Sequence, residues 1–330
     1  MQIRTVAQLC LLFCFLAPQV TGQDTQPEKQ DPPGSRFGNR FKSKSIVKEL
    51  RRADGSVVLP GELPANATDA ARAAWSAIVA SMGSEEPMES FLLHFRLRLR
   101  NPGNQQSNDL NLAFSFLSPS FVRAKFESNR SLLRGPLGDY LIDNDEVIKL
   151  FTREGAEDKK QLDQMASIAS NFVSLTTPVA MRLTSLKLLE TLPEEIFGMH
   201  RSAAGKLSWI EVTSPDFFLQ GSTVLSGQSE PILYRARLGV DPKSKAIRMA
   251  LIHRIDGTKL SPSGAMFLNL AKHVERSDLL VPHQIEVFDL DPQLRSTSSR
   301  PKPSSMLYLD AKRGRFQAHL DENDFLPPTK

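Results

Sequence analysis

Residues 91–100 read FLLHFRLRLR, so that Phe91, Leu93, Phe95, Leu97 and Leu99 alternate with Leu92, His94, Arg96, Arg98 and Arg100. On a strand, successive side chains point to opposite faces, so this period of two predicts a half-buried strand with one apolar and one basic face. Such a strand requires a sheet beside it and a layer over its apolar side.

The sheet is written into the residues that follow. Beyond the turn NPGNQQSND, Leu110, Leu112, Phe114 and Phe116 alternate with Asn111, Ala113 and Ser115, and FVRAKF (121–126) resumes the pattern after Pro119. Residues 140–143 and 147–151 flank the turn Asp143, Asn144, Asp145, Glu146 and read as a hairpin. Further strands are expected at 207–213, 232–240, 246–254, 265–272, 284–290, 306–310 and 315–320. The clearest hairpin joins ILYRARLGV to AIRMALIHR through Asp241–Lys245. Short turns between short strands favour antiparallel pairing.

Helical periodicity occurs in two places. Asn66 or Thr68 is placed to cap a helix with Ala71, Ala74, Trp75, Ile78 and Met82 on one face and Gly83 as its stop. In the middle of the chain, Leu162, Met165, Ala166, Ala169, Phe172 and Val173 share one helix face. Thr177 then offers a cap and Pro178 a first position for another helix, with Val179, Leu183, Leu186 and Leu189 as its stripe. The class expected is α+β.

The ends and the charge limit what the chain does. Arg4, the apolar run 6–16 and the small residue Gly22 form a signal-peptide pattern over residues 1–22, with cleavage expected before Gln23 and export to the periplasm or beyond the cell. Residues 23–64 are expected to form a flexible leader, although 46–64 is ambiguous, and residues 65–330 the folded domain. Cys10 and Cys14 both fall in the signal segment, so a processed chain has no thiol chemistry. The excess of 41 basic over 37 acidic residues is too small to indicate nucleic acid. No later run approaches the ~20 apolar residues of a membrane span, which leaves peripheral membrane contact at most. Arg96, Arg98 and Arg100, with no aromatic residue interleaved, read as a solvated face or as a contact for an envelope protein.

Standard catalytic patterns are missing. The six histidines are not spaced as metal ligands, and HExxH, GxSxG, GxGxxG and phosphate-loop motifs are absent. The acidic groups at Glu85–Glu86, Asp143–Glu146 and Asp289–Asp291 fall in expected turns, and Ile148 stands where a calcium loop needs glycine. No enzyme, metal or cofactor is expected. Asn66-Ala67-Thr68 and Asn129-Arg130-Ser131 match the glycosylation pattern, which matters only in a eukaryotic source.

In the order of its elements the chain resembles the LolA/LolB-like superfamily of periplasmic lipoprotein carriers and outer-membrane lipoprotein-sorting proteins, over residues 65–330. The resemblance rests on YRARLGVDPKSKAIRMALIHRIDG (234–257), VPHQIEVFDLD (281–291) and the ending FQAHLDENDFLPP (316–328). MRLTSLKLLETLP (181–193) is similar to the helix inside the family's half-barrel. Ser118 precedes Pro119 where the best-known carriers have arginine, so their retention mechanism is not transferred. The resemblance implies an antiparallel half-barrel of about ten to eleven strands, covered on its concave side by amphipathic helices. It also implies a non-enzymatic carrier whose partner is a lipid or an acylated protein. The expected lining is Phe91, Phe95, Leu97, Leu112, Phe114 and Phe116 from strands, facing Met165, Phe172, Met181 and Leu186 from helices. The same residues would equally serve as the closed core of an envelope structural or interaction protein.

Overall fold

The computed structural model describes residues 50–328, less 53–54, 84–87, 101–106, 119–120, 145, 151–157, 160–161, 163–164, 166–170, 197, 218–231, 257–258, 262–264, 291–302, 311–312 and 317. The expected signal peptide, both cysteines and most of the leader lie outside the described residues. Part of the ambiguous stretch 46–64 is packed. Leu50 and Val58 are buried, Arg51 bridges to Val57, and Gly61 N donates to Met181 O at 3.2 Å.

Helix α1 spans Asp69–Met82 and begins where Thr68 Oγ1 accepts from Ala71 N at 3.3 Å. Its buried residues, Ala71, Trp75, Ile78 and Met82, form the expected stripe. Gly83 ends it at φ 88°, in the left-handed region open to glycine, and a Cβ there would lie 1.6 Å from Asp278 O.

The strands are β1 (Ser90–Arg100), β2 (Ser107–Leu117), β3 (Phe121–Phe126), β4 (Arg130–Gly135), β5 (Gly138–Asp143), β6 (Glu146–Lys149), β7 (Ser185–Leu189), β8 (Ser208–Ser214), β9 (Tyr234–Val240), β10 (Ile247–Asp256), β11 (Lys259–Leu260), β12 (Met266–Arg276), β13 (Leu279–Asp289), β14 (Ser305–Leu309) and β15 (Arg315–Phe316). They make one 15-stranded sheet in the order β6-β5-β4-β3-β2-β1-β14-β13-β12-β10-β9-β8-β7, with β11 on β10 and β15 on β1. Their pairings are antiparallel and the path does not close on itself. An open antiparallel sheet with few helices is what the sequence led us to expect, with more strands than the ten to eleven anticipated. β1 sits at its centre, where Phe95 faces Leu112 of β2 on one side and Leu309 of β14 on the other. The chain thus lays down one wing outward from β1, crosses over, and builds the other wing back towards it.

Two elements differ from expectation. Residues 185–189 are strand β7 where helix spacing predicted a helix, which also corrects the likeness of 181–193 to an inner helix. The cause is tertiary. Pro178–Ala180 is only a 3-10 turn, and Thr177 caps nothing, its Oγ1 donating back to Val173 O at 2.9 Å. Asp216 then accepts from Arg182 N at 2.7 Å and from its guanidinium, and Thr184 N joins Thr213 O at 2.9 Å, so pairing with β8 begins there. Strand β4 was not read from the sequence because Leu132 and Leu133 are both fully buried, one on each face, which erases the alternation.

The main core lies between one face of the sheet, here the inner face, and its helical cover. Besides α1, the cover contains the described helical residues 158, 159, 162, 165 and 171–176. On the outer face, Phe121, Leu133 and Tyr140 are covered by Phe325 of the C-terminal segment. That segment runs from β15, two residues long where six were expected, into a 3-10 turn, Glu322–Phe325, closed by an Asp321 capping box. It lies so close that a Cβ on Gly135 would fall 1.9 Å from Phe325 O. The opposite wing carries a second outer cluster, including Trp209, Met249, Leu251, Phe267 and Phe288, beneath helix α2 (Gly198–Ala204).

Candidate functional site: the inner face of the sheet

The register of β1 on β2 aligns inner-face residues in rows: Phe91 with Phe116, Leu93 with Phe114, Phe95 with Leu112, Leu97 with Leu110. Antiparallel neighbours approach to about 5 Å, so large apolar side chains in such rows pack directly. The phenylalanines form a connected set. Phe91 stacks on Phe116 at 5.1 Å and on Phe114 at 5.9 Å, and Phe95 meets Phe114 edge-on at 6.4 Å. From the cover, Phe172 reaches Phe91 at 5.5 Å, Phe95 at 6.0 Å and Phe316 at 6.3 Å.

The structure places all of the expected lining residues, Phe91, Phe95, Leu97, Leu112, Phe114, Phe116, Met165, Phe172, Met181 and Leu186, in one apolar cluster with exposures of 0–6%. Met181 and Leu186 reach it from the opposite wing, one after the 3-10 turn and one on β7, not from a helix. Sequence reasoning overlooked Phe316, whose place in the ring set depends on β15 pairing with β1, although the alternation in the closing segment hinted at it. It also left out Val212, Ala236, Leu238, Ala250, Ile252 and Leu268, which continue the inner face across the second wing. Their alternating strands were visible, and only their shared face was not.

Polar contacts fasten both ends of the cover. At its start Arg130 pairs with Asp158, and Asp139 takes both Lys159 and, at 3.0 Å, the buried Arg134. Burial pushes the Asp139 carboxyl up, but Arg134 and Lys159 outweigh it and hold the group below its ordinary range. At its end Ser174 Oγ donates to Asp216 O at 2.7 Å, and Asp216 in turn holds Arg182. Between these points the described contacts of Leu162, Met165 and Phe172 are apolar.

On the outer face of β1, Arg96 is exposed and lies 4.7 Å over the ring of Tyr308, with Arg98 at 5.9 Å. Arg98 also makes two bonds to Asp109, at 2.8 and 2.9 Å, which hold the Asp109 carboxyl low. The aromatic platform missing from the sequence around these arginines therefore comes from β14, directly opposite Arg96 in register. The side chains of Leu99 and Arg100 lie outside the described residues.

A cleft of about 500 Å³ opens elsewhere on the outer face, between Leu189, Thr191–Glu195 and Arg237. Arg237 is held there by Glu195 at 2.7 Å and Glu211 at 3.0 Å, so its charge is answered within the protein. Among the described residues no group of three or more His, Cys, Asp or Glu is arranged to hold a metal, and no helix is long and apolar enough to cross a membrane.

No protein-family model and no curated protein matches the chain. Among solved structures it is similar to a domain described as an outer membrane lipoprotein-sorting protein from Vibrio parahaemolyticus, at 12% identity and TM-score 0.39, over 77% of this chain and 97% of that one. It is also similar to a LolA superfamily protein from Nitrosomonas europaea, at 10% identity and TM-score 0.39, over 76% and 96%. A DUF1329 family protein from Desulfovibrio piger matches at 11% identity and TM-score 0.38, over 78% and 98%. At such identities and scores the likenesses carry no functional weight, and the reading that follows rests on the sheet and its cover.

Proposed function

We propose that this chain is an exported, non-enzymatic carrier or binding protein for a lipid, a lipoprotein or another apolar ligand, held between the inner face of the sheet and its helical cover. One observation carries the reading: the phenylalanine-rich inner face is covered by described helical residues that make polar contacts at 158–159 and 174 and apolar ones at 162, 165 and 172. Among the described residues, the contacts that hold this cover are side-chain contacts and not ladder hydrogen bonds. An acyl chain of about fourteen methylenes would gain ~11 kcal/mol on burial at ~0.8 kcal/mol each. Apolar recognition of this kind needs no catalytic group.

A second reading is favoured by the complete burial of the lining residues: an envelope structural or interaction protein with a filled core, meeting its partner through Arg96, Arg98 and Arg100. The test is native purification of the chain from Gln23 onward, mass spectrometry of co-purifying lipids, and displacement of a fluorescent fatty-acid probe at micromolar protein. Recovered lipid and displaced probe support the carrier. Absence of both retires it in favour of the filled-core protein.

A further inference from the structure

Helix α2 lies on the outer face, away from the inner cluster. Of its residues 200–204 only His200 and Ala204 are buried, one helical turn apart, so among the described side chains of the helix an imidazole and a methyl group face the sheet. The imidazole is wedged edge-on between Phe267 of β12 at 5.2 Å and Phe288 of β13 at 5.0 Å, and these two rings touch each other at 5.5 Å. His200 is 8% exposed, and its Nε2 is buried without a hydrogen-bond partner. The far end of the helix is pinned by Trp209 Nε1, which donates to Ala204 O at 3.1 Å.

A neutral imidazole serves here as an apolar wedge, whereas an imidazolium would carry two N–H donors, one of them buried and unanswered. The charged surroundings do not compensate. From β13 comes Glu286, whose carboxylate is taken by Asn269 at 2.7 Å and Gln284 at 3.1 Å. From β12 the outer-face neighbour of Phe267 is the neutral Asn269, and from β10 come Met249 and Leu251. Arg201 on α2 is exposed, while Glu195, before the helix, is bonded to Arg237. Burial thus pushes the His200 pKa below 6.5, with Glu286 opposing.

We infer that His200 is an acid-released latch: protonation undocks α2 and bares the apolar outer patch of Met249, Leu251, Phe267 and Phe288. The sign follows from linkage. The docked state prefers the neutral ring, so docking is at full strength above the ordinary histidine value and weakens as pH falls below it. The opening equilibrium then rises up to about tenfold per pH unit until the docked-state pKa is reached. Nothing in this inference depends on whether the inner face takes a ligand.

The experiment is hydrogen exchange of amides 200–209, corrected for intrinsic rates, between about pH 7.5 and pH 5.0, on the full chain and on His200→Phe, with a dye for exposed apolar surface in parallel. Opening that rises below pH 6.5 in the natural protein, by no more than about tenfold per unit, with matching dye binding, and stays flat in His200→Phe supports the latch. Unchanged protection down to pH 5.0, or the same rise in both proteins, overturns it. Should His200→Phe fail to fold, an NMR titration of the His200 ring decides: a value below 6.5 supports the latch. A value at or above 6.5 overturns it, because the two phenyl rings would then be holding the cation.

Discussion

Replacing Phe172 with alanine tests how the cover is held. The ring is 3% exposed and meets Phe91, Phe95 and Phe316, so its loss removes three aromatic contacts and leaves a void at the junction of cover and sheet. Buried Phe→Ala changes cost about 3–5 kcal/mol, lost ring contacts included. We expect about 4 kcal/mol, a large part of the ~5–15 kcal/mol by which domains are stable. Because Phe172 bonds to no strand, the loss should first be local. The cover opens about a thousandfold more often, while the ladder of β1 on β2 stays protected. Hydrogen exchange at residues 171–176 reads the local term, and urea unfolding followed by tryptophan fluorescence reads the global one. In the carrier reading the same variant takes up a fatty-acid probe faster. A cost below about 1 kcal/mol with unchanged protection at 171–176 would refute the argument that this ring fastens the cover.

Gly135→Ala should lift the C-terminal segment off the outer face, since its Cβ would lie 1.9 Å from Phe325 O, and Arg123 would lose Leu326 O as an acceptor at 3.0 Å. Losing the burial of Phe325 costs ~1.5–3 kcal/mol, and limited proteolysis should cut within 318–328 before anything else; a protected segment contradicts the packing described. Asp139→Asn leaves the buried Arg134 without its carboxylate and should cost about 3–5 kcal/mol at pH 7. The folded-state pKa of Asp139 lies below 3.8, so its contribution is present above that value and fades as pH falls through the folded one. Denaturation at pH 7 and about pH 3 should therefore show the gap between variant and natural protein narrowing, and a constant gap would exclude Asp139 as its source.

What could be read locally was read well. The caps at Thr68 and Gly83, the alternation of β1, β2 and β3 and the long β9–β10 hairpin all depend on residues a few positions apart. At Asp241 the hairpin turn is closed by its own carboxylate, which accepts from Lys243 N at 2.8 Å and Ser244 N at 2.9 Å, chemistry that lies entirely within one short stretch. The shared face of Phe91, Phe95, Leu97, Leu112, Phe114 and Phe116 was legible for the same reason, because period two assigns faces without knowledge of the partner strands.

Distance along the chain defeated the rest. Leu183, Leu186 and Leu189 are spaced for a helix, and a strand forms because Asp216 and Thr213 capture Arg182 and Thr184 from outside the segment. Strand β4 lost its alternation because each of its faces found a cover. The aromatic under Arg96 arrived from β14, and the rings around His200 from β12 and β13. By itself the sequence determined which side chains of one strand share a face, where α1 starts and stops, and that the sheet is antiparallel, since these follow from periods and caps. The tertiary structure alone decided which faces meet, which segment at an edge becomes a strand, and which charged or titratable groups are enclosed. Those outcomes depend on partners remote in sequence, whose pairing no local period encodes.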